Sequence, residues 1–380
     1  MKVRDYNYLV VGAGLFGATV AERLARNPEN KILVLEKRPH LAGNIYSHFD
    51  SETGIEVHDY GSHIFHTESD RVYNYLSAFT EFNNYIHTVN TRHAGKLYPM
   101  PINLDTINLL YETDLSAEEA ADFVQREAEK TGVKDPQNFE EKALSLVGEK
   151  LYTAFLKNYT KKQWHADPKT LSPDLLSRIP VRYSHDNRYF ASAKHQGIPK
   201  LGYTKIVENM LSASNIEVRL ETSFKDFSDH LPSEVVIIYT GPVDELLNYQ
   251  FGVLPYRSLR FEEERVENSD QREAVINEAD LDVPYTRTHN YKYYQIHLPN
   301  VVSQTTSILC HEYPADFKQG GEAYYPVNSP ASEQLYQKYV AAAQKTYKNL
   351  ILGGRLGAYR YWDMDVCVAK ALELCETLSC

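Results

Sequence analysis

Residues 7–17 read Asn-Tyr-Leu-Val-Val-Gly-Ala-Gly-Leu-Phe-Gly, an apolar run that leads directly into a G-x-G-x-x-G spacing at positions 12–17. An amphipathic stretch follows over 18–26, and a second apolar run over 31–35 ends on Glu36. This order predicts a strand, a glycine turn, a helix, a second strand and an acid, all within one βαβ unit. The pattern therefore indicates a Rossmann-like α/β domain that binds a dinucleotide.

Each glycine of this fingerprint has a separate physical role. Gly12 allows a tight turn, Gly14 lets the backbone approach a pyrophosphate, and Gly17 lets the helix pack closely on the strand. The N–H groups at the helix N-terminus then face the anion. Glu36, placed 19 positions after Gly17, is suited to accept hydrogen bonds from the ribose hydroxyls of an adenosine.

Length and composition limit the classes of protein. A chain of 380 residues favours two or three domains. Its 40 basic and 51 acidic residues give a net charge of −11, which argues against nucleic acid or an anionic membrane as a bulk partner. No apolar run is long enough to cross a bilayer, and the N-terminus is the βαβ unit rather than a signal peptide. We therefore expect a cytoplasmic protein.

The sequence does not favour a metal site. The four cysteines, Cys310, Cys367, Cys375 and Cys380, lack paired metal-ligand spacing and read as reduced thiols. His58, His63 and His66 lie within nine residues, but their segment is predicted to be extended with glycine breaks. A histidine beside a bound flavin is the preferred interpretation.

The rest of the chain separates into segments of different periodicity. Helical patterns rich in Ala, Glu and Lys occupy 116–131 and 138–156, and Tyr-rich alternation such as 291–297 is typical of an antiparallel sheet. Buried-strand patterns over 235–239 and 349–352 both run into glycine. We predict a discontinuous FAD-binding domain with an inserted helical domain and an antiparallel β-sheet domain. Their bounds are 1–80, 200–250 and 321–380 for the first, 103–185 for the second, with a mobile substrate loop near 166–182, and 81–102, 186–199 and 251–320 for the third.

Several aromatic and basic residues are candidate ligands, each with a structural alternative. Phe155 and Tyr159 share a helix face, which is more often core than binding site, and Trp164 precedes a loop where it could stack on a base or sugar. Five arginines lie outside helical charge runs and are candidates for holding a diphosphate, surface ion pairs being the alternative. They are Arg178, Arg182, Arg257, Arg287 and Arg355.

Many blocks, in order from the first ten residues to the last fifteen, together resemble the bacterial UDP-galactopyranose mutases. Besides the fingerprint with Glu36 they are 60–67, 158–164, 179–182, 196–205, 284–287, 324–328 and 354–364. The resemblance implies an isomerase with FAD, active when the flavin is reduced, that interconverts UDP-galactopyranose and UDP-galactofuranose for cell-surface polysaccharide. It implies that flavin N5 is the nucleophile at the anomeric carbon and that no net redox change occurs. It further implies NAD(P)H as external reductant and a homodimer.

Carried over position by position, the resemblance assigns three groups of residues. Arg178, Arg287 and His63 match catalytic positions. Substrate-binding positions match Phe155, Thr160, Trp164, Tyr189, Arg257, Asn277, Tyr361 and one of Tyr324 and Tyr325, since neighbours in a strand face opposite ways. Cofactor-binding positions match Gly12, Gly14, Phe16, Gly17, Glu36, Lys37, Gly43, Asn44, His63, Ile64, Arg355, Asp363 and Met364.

Two departures from the family pattern leave the sugar open. His87 stands near the place of a family asparagine, and Trp362 stands where a smaller residue is expected. Either change could extend the substrate range, for instance to UDP-N-acetylgalactosamine. A flavin oxidoreductase of the same fold, such as an amine oxidase or a protoporphyrinogen-oxidase-like protein, explains the fingerprint but not the arginines and tyrosines. A non-catalytic nucleotide-sugar binding protein gives no reason for a second flavin-facing element at 353–364.

Overall fold

The computed structural model describes residues 5–178, 181–227, 232 and 234–378. Its strands, in chain order, are β1 (Tyr8–Val11), β2 (Ile32–Leu35), β3 (Ser47–Phe49), β4 (Glu56–His58), β5 (Phe65–Thr67), β6 (Val89–His93), β7 (Lys96–Met100), β8 (His195–Gly197), β9 (Ile216–Arg219), β10 (Val236–Tyr239), β11 (Tyr256–Glu267), β12 (Val275–Glu278), β13 (Arg287–Asn290), β14 (Thr306–Asp316), β15 (Tyr325–Pro326) and β16 (Leu350–Leu352). Its α-helices are α1 (Leu15–Ala25), α2 (Asp70–Ser77), α3 (Leu104–Tyr111), α4 (Ala117–Glu129), α5 (Phe139–Leu151), α6 (Asn158–Trp164), α7 (Tyr203–Met210), α8 (Val243–Leu246), α9 (Pro299–Ser303), α10 (Pro330–Thr346), α11 (Gly354–Gly357) and α12 (Met364–Leu378).

The described residues divide into two compact units. The first, here called the Rossmann unit, is formed from Met1–Asn84, Lys194–Leu259 and Ala315–Cys380. The second, here called the sheet unit, is formed from Tyr85–Ala193 and Arg260–Pro314, so it holds both the helical and the antiparallel segments. The unit boundaries fall inside β11 and β14. The three-domain bounds given by the sequence stay a prediction beside this two-unit division.

The Rossmann unit is built on a five-stranded sheet in the order β16-β10-β1-β2-β9, with each neighbouring pair parallel. All four residues of β2 are buried, as expected for a parallel sheet covered on both faces. The predicted strand–turn–helix–strand order is confirmed by β1, α1 and β2, and the predicted strands near 235–239 and 349–352 are confirmed by β10 and β16. Both ends of the chain therefore contribute to one sheet.

The start of α1 lies unusually close to the turn that precedes it. A Cβ added to Gly17 would come 2.0 Å from the carbonyl oxygen of Gly12, which is much closer than real atoms approach. Gly12 itself has a φ of +103°, a conformation that side chains strongly disfavour. Any side chain at either position would push the helix away from the strand.

The sheet unit contains a mixed sheet, with strands in the order β11-β14-β13-β12-β6-β7, and helices α3 to α6. The β12–β6 pair is parallel, whereas β12–β13, β13–β14 and β6–β7 are antiparallel. The predicted helix near 116–131 is confirmed by α4, which Ser116 and Glu119 close with a reciprocal capping box. The helical part of this unit carries Phe155 and Thr160, and strands β12 and β13 carry Asn277 and Arg287.

One sequence-based prediction of local structure was wrong, and another was confirmed with an interruption. The alternating segment 291–297 is not a strand, because Tyr291–Tyr294 forms a 3-10 helix in which Tyr291 and Tyr294 are fully buried. Residues three apart share one face of a 3-10 helix, so both rings enter the core. The helix expected over 138–156 is interrupted at Gly148, where φ is +74°, and continues over Tyr152–Lys157 as a π-helical turn.

Gly148 provides a test of this interruption. A Cβ at Gly148 would lie 2.8 Å from the carbonyl carbon of Glu127 in α4, whereas a Cβ at Gly132, with φ of +71°, would meet nothing within 4 Å. Gly132→Ala should therefore cost about 1 kcal/mol of backbone strain. Gly148→Ala should cost roughly 1–3 kcal/mol more because of overpacking. Urea unfolding followed by circular dichroism measures both, and equal losses would contradict the close α4–α5 contact.

Candidate active site

A cavity of about 390 Å³ lies in the Rossmann unit at the carboxyl ends of its parallel strands. This edge of an open α/β sheet is where ligands bind in such folds. Its walls come from the ends of β1, β2 and β10, the start of α1, the segment 42–45 and the residues around α11. Of the predicted cofactor-binding residues, those on its walls are Gly12, Gly14, Phe16, Gly17, Glu36, Lys37, Gly43, Asn44, His63, Arg355 and Met364.

Backbone forms one wall of the cavity at its glycine end. A Cβ on Gly43 would lie 3.1 Å from Gly14 Cα, and a Cβ on Gly12 would lie 2.1 Å from Thr240 Oγ1. Helix α1 begins after Gly14 with no capping side chain from the described residues and no acid in its first turn. The first N–H groups of α1 are therefore available to an anionic ligand.

Glu36 is held rigidly beside this backbone. Its side chain is buried, and Oε2 accepts a hydrogen bond from the N–H of Ala13 at 2.9 Å while Oε1 accepts from the N–H of Arg38 at 3.0 Å. Both bonds fix the plane of the carboxylate at the end of β2. A carboxylate has further lone pairs, so it can still accept from a ligand hydroxyl.

Arg38 also lines the cavity, although it is not among the predicted cofactor-binding residues. Its Nη2 donates to Asn44 Oδ1 at 2.8 Å and pairs with Glu322, and its guanidinium lies 4.3 Å from the ring centre of Tyr60. The Nε atom is buried and has no hydrogen-bond partner among the described residues. An unpaired buried N–H on a cavity wall fits an acceptor on a ligand. The sequence signal that points to Arg38 is its position two residues after Glu36.

The opposite part of the cavity wall includes His63, Arg355 and Met364. His63 Nδ1 lies 2.7 Å from the carbonyl oxygen of Gly61, which can only accept, so Nδ1 carries a proton. Arg355 donates through Nε and Nη2 to the backbone oxygen of Trp362 at 3.0 and 2.6 Å. Two predicted cofactor residues do not line this cavity: Ile64 is buried and Asp363 is exposed.

Phe16 and Trp362 stack beside this wall. Their ring centres are 6.3 Å apart with nearly parallel planes. Because the backbone oxygen of Trp362 also accepts from Arg355, the large ring at position 362 is fixed from both its main chain and its side chain. The residue that departs from the family pattern is thus packed against a predicted cofactor residue.

Tyrosines and arginines form a second group in the Rossmann unit, here called the tyrosine–arginine cluster. The rings of Tyr325 and Tyr361 are 5.2 Å apart, and the Arg355 guanidinium carbon lies 5.5 and 5.2 Å from their centres. Arg257 stands directly opposite Tyr325 in the β11–β15 pairing and forms a 2.8 Å ion pair with Asp316. The structure thus brings four of the predicted residues together.

The neighbouring Tyr324 differs from Tyr325 in burial. Tyr324 is 5% exposed and burial raises the pKa of its hydroxyl, whereas Tyr325 is half-buried. The ring of Tyr325 lies next to that of Tyr361. Of the pair left open by the sequence, Tyr325 is therefore the one in the cluster.

Arg287 is the charged centre of the sheet unit. Its Nη2 donates to the Tyr159 hydroxyl at 2.8 Å, and its Nε lies 3.5 Å from Glu312 Oε1. Burial acts to lower the pKa of Arg287, but the Glu312 carboxylate together with Tyr159 and Tyr189 outweighs it, and the pKa is raised. Burial also raises the pKa of Tyr159. Arg287 therefore stays a fixed cation, and Tyr159 stays protonated near neutral pH.

Asn277 stands opposite Arg287 in the pairing of β12 with β13. Its Oδ1 is buried and has no hydrogen-bond partner among the described residues, while its Nδ2 reaches Thr91 Oγ1 only at 3.5 Å. A buried amide oxygen without a donor is costly and calls for a ligand or a water. The cross-strand pair thus presents one cation and one unsatisfied acceptor.

The remaining candidates of the sheet unit have different surroundings. Phe155 is buried and packs edge-to-face on Tyr98, with ring centres 5.0 Å apart, which fits the core alternative. Thr160 is buried in α6, and Trp164 ends that helix half-buried. Tyr189 is 44% exposed.

Two of the isolated arginines give no evidence of a phosphate site. Arg182 donates to the backbone oxygens of Asp186 and Arg188 and holds its own loop. The side chain of Arg178 lies outside the described residues, so its assignment stays a prediction. His87 contacts Tyr85 and Tyr189 in the sheet unit.

The described residues contain no cluster of three or more His, Cys, Asp or Glu side chains that could hold a metal ion. Within the same residues, no helix is both long and apolar enough to cross a membrane.

The comparisons with known proteins agree with this geometry. A family model described as UDP-galactopyranose mutase matches residues 154–361, and one described as an NAD(P)-binding Rossmann-like domain matches residues 10–79. The probable UDP-galactopyranose mutase of Klebsiella pneumoniae is 37% identical over 98% of this chain and 95% of its own length. The dTDP-fucopyranose mutase of Escherichia coli is 38% identical over 97% of both chains.

Solved structures share the fold. A crystal structure of reduced UDP-galactopyranose mutase superposes with a TM-score of 0.72 at 16% identity, covering 98% of this chain and 94% of that one. At this identity the likeness supports the fold alone. The family model and the full-length relatives carry the stronger conclusion. The chain belongs to the UDP-galactopyranose mutase family, whose members are isomerases.

Proposed function

We propose that this protein interconverts UDP-galactopyranose and UDP-galactofuranose and that it uses reduced FAD. The observation that carries the proposal is the cross-strand pair Asn277–Arg287, which offers a buried acceptor atom with no partner among the described residues beside a half-buried fixed cation. A nucleoside diphosphate needs both groups, because its base carries N–H donors and its phosphates carry negative charge. Membership of the mutase family supports the reaction class.

The residues of the Rossmann unit fit FAD as the dinucleotide. The wall formed by Gly12, Gly14 and Gly43 leaves room for a pyrophosphate only because no Cβ is present. Glu36 is oriented to accept from a ribose, and the buried Arg38 Nε is a donor without a partner among the described residues. When bound and reduced, the flavin would supply the nucleophile for the anomeric carbon, and no electrons are transferred overall. His63, Arg355 and Met364 are proposed to hold its ring end.

Departure of UDP from the sugar concentrates negative charge on the diphosphate. Fixed cations stabilise such charge best when they are already in place and poorly hydrated. Arg287 meets this description, since it is half-buried with its Nε atom shielded from solvent, and it is oriented by Tyr159 and Glu312. We propose that Arg178, Tyr189 and the tyrosine–arginine cluster also bind phosphate, because hydroxyls and guanidinium groups are suitable donors.

The uridine is proposed to lie against Asn277. The base N3–H can donate to Asn277 Oδ1, which has no donor among the described residues. Thr160 and Trp164 on α6 are the proposed neighbours of the base and sugar. Phe155 would have to leave its contact with Tyr98 to stack on the base.

A second candidate substrate is dTDP-fucopyranose, since the Escherichia coli relative that bears this name is 38% identical over 97% of both chains. Thymine and uracil carry the same N3–H, so the contact with Asn277 would not separate them. UDP-N-acetylgalactosamine remains the alternative suggested by Trp362. The three substrates differ at the base methyl, the ribose 2′-hydroxyl, the sugar C6 hydroxyl and the sugar C2 substituent.

The external partners are proposed from the family resemblance. The sequence contains no second nicotinamide fingerprint, so NAD(P)H is proposed to reduce the flavin without a separate Rossmann site. A homodimer in the cytoplasm is proposed on the same basis.

The first test is the dependence of turnover on flavin reduction. We expect purified protein to be yellow, to bleach with dithionite and to convert UDP-galactofuranose only after bleaching. Chromatography of the nucleotide sugars measures the conversion, with dTDP-fucofuranose and UDP-N-acetylgalactosamine run beside it. Inactivity of the reduced enzyme on all three would refute the mutase function.

Arg287→Ala should retain flavin and lower kcat/KM by roughly 10²–10³-fold, the effect of removing one preorganised charge donor. The matched control is Arg260→Ala, because Arg260 is an exposed arginine of the same unit. Steady-state kinetics of the reduced enzyme and the flavin absorbance per protein measure both expectations. Turnover that survives in Arg287→Ala would exclude this arginine from diphosphate binding.

Glu36→Ala should weaken FAD binding by about tenfold or more, because it removes a charged acceptor and frees two backbone N–H groups. Glu29→Ala is the control, since Glu29 is exposed beyond the end of α1. The ratio of flavin to protein after dialysis, followed by titration with FAD, measures the change. Equal flavin retention in both variants would contradict the proposed ribose contact.

A further inference from the structure

Lys162 on α6 is half-buried, and its ammonium group is surrounded by backbone carbonyls from one part of the chain. Its Nζ donates to the carbonyl oxygens of Glu278, Asp280, Val283 and Tyr285 at 2.6, 2.8, 2.9 and 2.9 Å. An ammonium group has three N–H bonds, so four acceptors share three donors. Three of these carbonyls belong to the connection between β12 and β13, and the fourth belongs to Glu278, the last residue of β12. The helix thus contributes a cation around which this connection is folded.

The two residues that close this loop are Asn277 and Arg287, which stand directly opposite each other. The connection therefore joins the two strand ends that carry this pair. Carboxylates of the connection are held on another side by β6 and the turn after it. Glu278 pairs with Arg92 at 3.0 Å, and Asp280 accepts from the N–H of Ala94 at 2.8 Å.

The same helix meets Arg287 at a second point. Tyr159, three residues before Lys162, accepts a hydrogen bond from Arg287 Nη2 at 2.8 Å. Thr160 lies on the helix between these two contacts, and Trp164 lies beyond them. Movement of α6 relative to the β12–β13 connection would therefore shift the nucleotide-binding candidates of the helix and of the strands against one another.

We propose that Lys162 is a positioning residue, which sets the Asn277–Arg287 pair against α6 for binding of the nucleoside diphosphate. The inference rests on the proposed function. It goes beyond that function because Lys162 is assigned no contact with substrate or cofactor.

Energetics favour a positional role over a purely stabilising one. Burying a charge is expensive, and an apolar side chain of similar size often stabilises a protein as much or more. Four carbonyl acceptors at a single point instead specify one loop conformation. Burial lowers the pKa of Lys162 to about 8, so the folded environment disfavours the charged form of this side chain relative to water.

The test measures UDP binding to the flavin-loaded protein. Lys162→Met should bind UDP about tenfold more weakly and raise KM more than it lowers kcat, while its flavin content stays that of the wild type. Lys161→Met is the matched control, because Lys161 is an exposed neighbour on the same helix. Calorimetric titration with UDP, flavin absorbance and the thermal midpoint are recorded for each variant.

A double-mutant cycle separates positioning from general loosening. In an Arg287→Ala background the same Lys162→Met change should have little further effect on UDP affinity, since the two residues then act on one contact. Full additivity of the two losses, or wild-type affinity in Lys162→Met, would overturn the proposal. If Lys162→Met does not fold, Lys162→Gln, which keeps two N–H donors, replaces it. UDP affinity is then measured in the same double-mutant cycle with Arg287→Ala. Absence of both UDP binding and mutase turnover in the wild type would instead overturn the proposed function, and this inference with it.

Discussion

The close approach of backbone to backbone at the carboxyl edge of the parallel sheet is the constraint on which the Rossmann unit depends. A Cβ at Gly17 would lie 2.0 Å from the Gly12 carbonyl oxygen, and a Cβ at Gly43 would lie 3.1 Å from Gly14 Cα. The missing side chains let α1 start directly behind β1, and they leave main-chain N–H groups as the wall of the cavity. Helix placement and anion recognition are therefore consequences of the same absent atoms.

The sites proposed in the two units would recognise charge by different physical means. The proposed site of the Rossmann unit would use weak dipoles on the backbone, so it would depend on shape and tolerate little added volume. The proposed site of the sheet unit would use formal charges such as the half-buried Arg287, so it would depend on how those charges are oriented. Glu312 and Tyr159 supply that orientation by a carboxylate and a hydroxyl. Preorganisation of this kind is what transition-state stabilisation requires.

The parts of the fold that the sequence predicted well are those whose cause is local. The fingerprint, β2 and the caps of α4 each depend on residues within one turn or one strand. The break at Gly148 depends instead on the backbone of Glu127 in another helix, and no periodicity in 138–156 reports it. Lys162 was missed for the same reason, since its four acceptors are main-chain oxygens more than a hundred residues away. Every residue has a backbone carbonyl, so a sequence does not show which carbonyls will accept a hydrogen bond from a distant side chain.

Comparison of two lysines whose pKa is lowered by burial indicates why Lys162 does more than fill space. Within the described residues the Lys292 ammonium donates to one carbonyl, that of Gln304. Lys162 donates to four carbonyls at the end of β12 and in the connection that follows it, and its pKa falls from 10.5 to about 8. Since the unfolded chain binds this proton more tightly, the Lys162 contribution to the free energy of unfolding rises as the pH increases from about 8 toward 10.5. At neutral pH the charge therefore reduces stability, and what it provides in return is the geometry of the strand ends that carry Asn277 and Arg287.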